Sequence, residues 1–356
     1  MELLKRQNIG READVPAFIN LYVPIVNKTN LTENSVLIGN ESMVTFGGLM
    51  RTIKITRNPY TALSLKFSYG RKSITFRNGF KFQLVWSQFR TLRDHYSLIR
   101  EYTIEQVEDD LFKIKNKKSE VTCCSQLMPI VCDLMQHYTI QQMENDLFKI
   151  KNEKLELIGS SAMLGCIQEQ ETGEYDCDCR GKVVLDVGGY QGETAVFFSG
   201  IGAKKVIIYE PVSAHHSLIR KNVSLNHVNA EIHEEGIGEK NGTITVGYKE
   251  TDTGFGPACE GQHSMKIKVK NVADVIAESR ADVAKFDCEG AEESLVRVPA
   301  RILVGIESYI VEVHSPEIRK AVIGKFEASG FKLVRETVKT RQISVIMLKR
   351  SSTQDT

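Results

Sequence analysis

Residues 182–210 constrain the fold of this chain more tightly than any other stretch. An apolar run, Val183 to Val187, ends at a glycine-rich turn, Gly188-Gly189-Tyr190-Gln191-Gly192. A short helical stretch from Glu193 to Gly200 follows, then a second apolar run, Val206 to Tyr209, closed by Glu210. This reads as one βαβ unit, and parallel strands joined through a helix belong to layered α/β folds. Glycines in the first turn let the backbone approach a ligand, and an acid after the second strand suits the hydroxyls of a ribose. The plainer alternative is a βα turn in an unrelated α/β protein.

The spacing separates two kinds of nucleoside cofactor. A dinucleotide fingerprint needs glycine at relative positions 1, 3 and 6. Counted from Gly188, positions 3 and 6 are Tyr190 and Glu193, so that register fails. An acid at a helix start also repels pyrophosphate, which helix N-termini otherwise attract. The register that fits is Asp186-x-Gly188-x-x-x-Gly192. It suits S-adenosylmethionine, which carries a sulfonium and an ammonium and has no phosphate. On that reading Asp186, Gly188, Gly189, Gly192, Glu193 and Thr194 surround the cofactor, with Asp186 and Glu193 facing positive charge. Glu210 takes the ribose, and Gly236, after the third strand, lets the backbone approach the adenine.

From Glu174 to Arg350 strand and helix patterns alternate, which implies a largely parallel sheet. Strands are expected near 182–187, 205–210, 230–234, 282–287, 306–313, 331–337 and 342–348, with a polar hairpin at 241–270. The last connection, Glu336 to Gln342, is too short for a helical crossover, so the final strand must run antiparallel. The fold class is therefore α/β. Its seven-stranded, mostly parallel sheet with an antiparallel last strand is of the Rossmann-like methyltransferase kind, and a smaller N-terminal α+β region precedes it.

That N-terminal region, residues 1–101, reads as a β-meander from Thr61 to Leu84 followed by a helix from Trp86 to Glu101. A duplication follows. Tyr102 to Lys118 recurs as Tyr138 to Lys154, offset by 36 residues with 13 of 17 positions identical. Two copies are too few for a solenoid. Residues 102–173 thus form a duplicated segment, each copy a short helix plus a strand. The second copy precedes the cofactor strand and has Gly159-Ser160-Ser161 where the first has Cys123-Cys124-Ser125. A disordered tail is expected at 351–356.

Bulk composition mainly excludes. A net charge of +1 offers no overall basic field, so a nucleic-acid partner is not expected. No apolar stretch approaches the roughly 18 residues of a membrane span, and the first ten residues lack a signal-peptide core. The sequon at Asn27 is then incidental. Eight cysteines form no Cys-x-x-Cys pair, so no metal is expected, and reduced thiols in a cytoplasm are the default.

In an open α/β sheet, ligands sit outside the carboxyl ends of the strands, where strand order reverses. The fourth strand ends in Lys285-Phe286-Asp287-Cys288-Glu289-Gly290-Ala291-Glu292, and the fifth in Glu312-Val313-His314. Asp287 follows apolar residues and points into the crevice. His314 is a reasonable general base, its intrinsic pKa lying near working pH, or else a structural group. Glu289 and Glu292 either serve chemistry or complement the dipole of the following helix. Lys285, Asp287, Glu289 and His314 are the catalytic candidates. A metal held by Asp287 and Glu289 is an alternative way to acidify a substrate hydroxyl. His215 and His216 are assigned to helix-surface packing.

Residues from about 174 to 350 resemble the FkbM family of S-adenosylmethionine-dependent methyltransferases. The family's Asp-Val-Gly-Ala-Asn-Ile-Gly-Asp-Thr-Ala is similar to Asp186 to Ala195, and its Glu-Pro to Glu210-Pro211. Its Lys-Ile-Asp-Val-Glu-Gly-Ala-Glu is similar to Lys285 to Glu292, and its Glu-x-His to Glu312-Val313-His314. Tyr190 and Gln191 depart from the pattern. The resemblance implies O-methylation of a small-molecule or carbohydrate acceptor. The competing readings are an RNA methyltransferase, disfavoured by near-neutral charge and no Asn-Pro-Pro-Tyr after the fourth strand, and a non-catalytic cofactor-binding or assembly module.

Overall fold

The computed structural model describes residues 35–37, 43–67, 70–144, 147–248 and 263–351. The sequon at Asn27, Cys259 and the tail 352–356 lie outside these residues. The chain divides into two units, residues 1–136 and 137–356, and the division falls at the last residue of the first repeat copy's helix, Met128–His137.

In the first unit, β1 (Ser35–Leu37) pairs antiparallel with β2 (Met43–Thr45), and helices follow at Phe46–Ile55 and Pro59–Ser64. A hairpin of β3 (Lys72–Thr75) and β4 (Lys81–Leu84) buries Ile74, Phe82 and Leu84. The expected meander therefore lacks its first strand, because residues 59–67 are helical. Pro59 presets the first helical φ, and the fully buried pair is Ala62 and Leu65, three apart, which is a helical period rather than an alternation. The following helix is interrupted at His95 into Trp86–Asp94 and Tyr96–Ile99.

Each copy of the repeat is three strands and then a helix, not the helix-plus-strand the pattern suggested. The first copy holds β5 (Thr103–Glu108), β6 (Leu111–Lys115), β7 (Glu120–Cys123) and the helix Met128–His137. The second, in the other unit, holds β8 (Thr139–Gln142), β9 (Leu147–Lys151), β10 (Glu156–Ser160) and the helix Ser161–Glu171. Asn116 and Asn152, at equivalent positions, each accept two backbone N–H bonds and so close the second turn of their meander. Phe112 and Ile114, like Phe148 and Ile150, are buried with lysines alternating between and after them, as strands require.

The remaining strands are β11 (Val183–Val187), β12 (Lys205–Tyr209), β13 (Ala230–His233), β14 (Gly236–Gly238), β15 (Gly242–Tyr248), β16 (His263–Asn271), β17 (Val283–Phe286), β18 (Ser308–Val313), β19 (Phe331–Val338) and β20 (Ser344–Arg350). Seven of them form one sheet in the order β13-β12-β11-β17-β18-β20-β19. The first five run parallel, and β20 is antiparallel to both of its neighbours. The α/β sheet with its antiparallel last strand is as expected. A smaller sheet holds the polar hairpin β15–β16, with β14 added parallel to β16.

Buried apolar residues on the main strands, including Leu185, Val187, Phe286, Tyr309 and Val311, pack against Val275, Ile276, Val322 and Phe326 from the helices. The chain winds outward from β11 through β12 to β13, then returns to place β17 on β11's other side. Strand order reverses there, so the crevice lies at the carboxyl ends of β11 and β17. Among the described residues, no helix is long and apolar enough to cross a membrane.

Candidate functional site

The turn after β11 is shaped by the strand beside it. Val187 faces Phe286 in the parallel register, so Gly188 runs directly past Asp287. An ideal Cβ on Gly188 would lie 1.7 Å from the Asp287 carbonyl oxygen, and its φ is +83°. Only glycine fits there. Gly188 and Gly189 donate backbone N–H bonds to the Tyr209 carbonyl at 2.9 and 3.2 Å. Tyr190, a non-glycine residue at φ +45°, carries the turn onward to Gly192, which caps the helix Glu193–Gly200 at φ +88°.

Beneath the turn sits an enclosed polar cluster. Asp186 is fully buried; its Oδ2 accepts from the Thr194 hydroxyl at 2.6 Å, and its Oδ1 lies 3.4 Å from Lys285 Nζ. Lys285 Nζ donates to the Gly188 carbonyl at 2.7 Å and lies 3.6 Å from Asp287 Oδ2. Burial opposes the charge on Lys285, but Asp186, Asp287, Glu193 and Glu312 outweigh it and hold the ammonium above its usual range. Burial raises the Asp186 carboxyl, against the pull of Lys285 and Thr194. Burial likewise pushes Glu193 up to about 8, while its Oε2 accepts the Gln191 N–H at 3.2 Å. Asp186, Glu193, Thr194 and Lys285 thus support the turn from below.

Glu210, at the end of β12, is also buried. Its Oε2 accepts the Tyr190 N–H at 3.0 Å and its Oε1 the Val212 N–H at 2.9 Å, with His215 Nδ1 3.3 Å from Oε1. His216 Nε2 meets the Glu210 carbonyl at 2.7 Å. The Tyr190 ring lies edge-on to His215 with centroids 4.6 Å apart. Both histidines are buried and organise this acid, rather than covering a helix surface. Their signal was available: they open a helix directly after a strand-end carboxylate. Gly236 is buried on β14, its Cβ position 3.5 Å from Pro211, so it lies beside Glu210's neighbour.

The second half of the crevice belongs to the ends of β17 and β18. Asp287 donates its N–H to the Val187 carbonyl at 3.0 Å and keeps 27% of its side chain exposed. The chain turns through Glu289 (φ +54°) and Gly290 (φ +100°) into fully buried Glu292. Glu292 Oε2 accepts the Gly290 N–H at 2.8 Å; its Oε1 accepts the His314 N–H at 3.1 Å and meets His314 Nδ1 at 2.8 Å. The other imidazole nitrogen, Nε2, lies 3.6 Å from Glu289 and 3.8 Å from Glu312. Burial disfavours the imidazolium, yet Glu292, Glu289 and Asp287 more than reverse this and raise His314 to about 9. Burial, with Asp287, pushes Glu312 up to about 7 against Lys339, whose Nζ is 2.8 Å away. Burial also raises Glu289.

Asp287, Glu312 and His314 bring ligand-type atoms within 4.8 Å of one another. Glu289 is not in this set, so a metal route would run through different groups from the Asp287–Glu289 pair. Lys285 and Lys339 stand 3.6 and 2.8 Å from its two carboxylates and supply the positive charge a cation would bring.

No family model matches the chain, and no curated protein matches it. Among solved structures it is similar to ribosomal protein L11 methylase from Lactobacillus delbrueckii subsp. bulgaricus, at TM-score 0.32 and 13% identity over 53% of this chain and 80% of that one. It is similar to SMU.776, a candidate methyltransferase complexed with SAH, at TM-score 0.44 and 9% identity over 79% and 87%. A protein of the NADB-Rossmann superfamily from Streptococcus agalactiae aligns at TM-score 0.31 and 15% identity over 51% and 67%. Likenesses this weak do not decide what the chain binds.

Proposed function

We propose that the chain is an S-adenosylmethionine-dependent methyltransferase of the FkbM type, acting on a hydroxyl oxygen of a small molecule or glycan. The observation that carries this reading is the pairing of buried Glu210 with a glycine turn that has acids, not phosphate donors, around it. Asp186 and Glu193 are buried beneath the turn, and Glu210 and Glu193 already accept the Tyr190 and Gln191 N–H groups, so the turn withholds those donors from a pyrophosphate. A nucleoside without a phosphate needs none of those donors. Glu210 would hold the ribose hydroxyls, already aimed by two backbone N–H groups and His215. Gly188 and Gly189 would let the backbone approach the ligand, and Gly236 would border the adenine.

When bound, the cofactor supplies an electrophilic methyl group on sulfonium. The chain's own work is to place a hydroxyl in line and accept its proton as the new C–O bond forms. Positioning of this kind is worth about 7–11 kcal/mol in intramolecular reactions. Glu292 holds Nδ1–H of His314 and so leaves Nε2 as the proton acceptor at the crevice. Asp287 and Glu289 stabilise the imidazolium that results. Lys285 transfers no proton in this scheme; as an ammonium it holds the Gly188 carbonyl and Asp186 in place.

Isothermal titration calorimetry is expected to show uptake of S-adenosylhomocysteine and none of NAD; the opposite pattern refutes the proposal. Glu210→Ala is expected to weaken that uptake roughly 10- to 100-fold, since hydrogen bonds to a charged group are worth about 1.5–3 kcal/mol. A non-catalytic assembly module would be indifferent to the change.

A further inference from the structure

Two departures from the FkbM pattern, Tyr190 and Gln191, are held by the second copy of the repeat. Ser160, at the end of β10, donates its N–H to Gln191 Oε1 at 2.9 Å, and Gln191 Nε2 donates to Ser160 Oγ at 2.8 Å. The Tyr190 hydroxyl lies 3.3 Å from the same Oγ. From the other side, Asn222 Nδ2 donates to the Gln191 carbonyl at 2.8 Å and the Ile158 carbonyl at 2.9 Å. Asn222 Oδ1 accepts the Ile158 N–H at 2.8 Å. Asn222 and Gln191 are both buried, and every member of the network lies within residues 137–356.

Gly159 makes room for this contact. A Cβ there would stand 2.3 Å from Gln191 Oε1 and 2.4 Å from Met163 Sδ. With the offset of 36 residues, the first copy has Cys123 at this position and Cys124 in place of Ser160. The first copy therefore carries a side chain where the second leaves room for Gln191, and it lacks the hydroxyl. The duplicated sequence has diverged at the two residues on which the contact depends.

We propose that the second copy is a clamp on the glycine turn, in which Ser160, Gln191 and Asn222 set the conformation of residues 188–192 and thereby the affinity for the adenosyl cofactor. The consequence for affinity rests on the function proposed above; the clamp itself does not. These are positioning residues. They act through Tyr190, whose N–H orients the Glu210 carboxylate and whose backbone is held at a positive φ.

Two substitutions in the full chain test the clamp. Ser160→Ala removes the hydroxyl, and Gly159→Cys reproduces the first copy and displaces the Gln191 amide together with the buried Met163 side chain, without touching backbone. Both are expected to speed hydrogen exchange of the 188–192 amides and to weaken S-adenosylhomocysteine binding roughly tenfold, the worth of one buried hydrogen bond. The thermal midpoint of the Ser160→Ala chain should stay near that of the parent, and Ser160→Thr should restore both readouts. Unchanged exchange and unchanged affinity in both variants overturn the clamp. Faster exchange in a chain whose parent binds no S-adenosylhomocysteine upholds the clamp and overturns its link to the cofactor.

Discussion

His314→Ala is expected to lower methyl transfer by about 10²–10⁴-fold, the usual contribution of a positioned general base, while S-adenosylhomocysteine binding persists. The two readouts separate because His314 follows β18 against Glu292 and Glu289, whereas Glu210, proposed to hold the ribose, follows β12. Asp287→Ala is expected to lower transfer in the same direction. Incorporation of labelled methyl groups into cell extract, read by mass spectrometry, provides the measurement. Full transfer in both variants removes the base assignment.

The pH dependence sharpens this expectation. His314 is raised from an ordinary value near 6.5 to about 9, so the base is protonated at neutral pH and must lose that proton before it can act. Transfer should therefore rise with pH and level off near 9. Stability runs the other way: the contribution from the charged imidazole is complete below about 6.5 and is lost as pH rises through 9. Glu292→Gln removes the strongest interaction that raises this group, so the limb of the rate profile should move to lower pH. A profile that ignores Glu292 points to another base.

The parts of the site that local chemistry determines were legible in the chain. The glycines after β11, the acid after β12 and the ionisable groups after β17 and β18 each occupy a strand end, and strand ends can be read from apolar runs. The rest of the site depends on contacts made across the fold. Asn222 meets Ile158 across 64 residues, and Ser160 meets Gln191 across 31, separations that no pattern within a window reports. His215 and His216 looked like helix surface because Glu210's own burial could not be seen. In the repeat, the alternating Leu-Phe-Lys-Ile-Lys is legible as a strand, whereas the turns closed by Asn116 and Asn152 depend on side-chain bonds to backbone that composition does not reveal. Near residue 62 an alternation of leucines competed with the helix start at Pro59, and the helix won through the burial of Ala62 and Leu65.

Gly188→Ala should have the largest effect on stability, because the atom in its way cannot move. The added Cβ would stand 1.7 Å from the Asp287 carbonyl oxygen, which belongs to backbone fixed by the parallel pairing of β11 with β17. Relief requires the two strand ends to part, which breaks the Asp287 N–H bond to Val187 and loosens the Lys285 bond to the Gly188 carbonyl. Overpacking commonly costs about 1–3 kcal/mol, and the left-handed φ of +83° adds roughly 1–2 kcal/mol. A loss of about 4 kcal/mol corresponds to a fall in thermal midpoint of roughly 10 °C for a unit of this size. Gly290→Ala is the matched control, since Gly290 has a φ of +100° but nothing within 4 Å of its Cβ position. It carries the conformational strain without the collision. The difference between the two midpoints therefore measures how closely β11 and β17 approach at the crevice. Equal midpoints would mean that the turn does not press against Asp287, and that glycine is not required at 188 by the approach of the two strand ends.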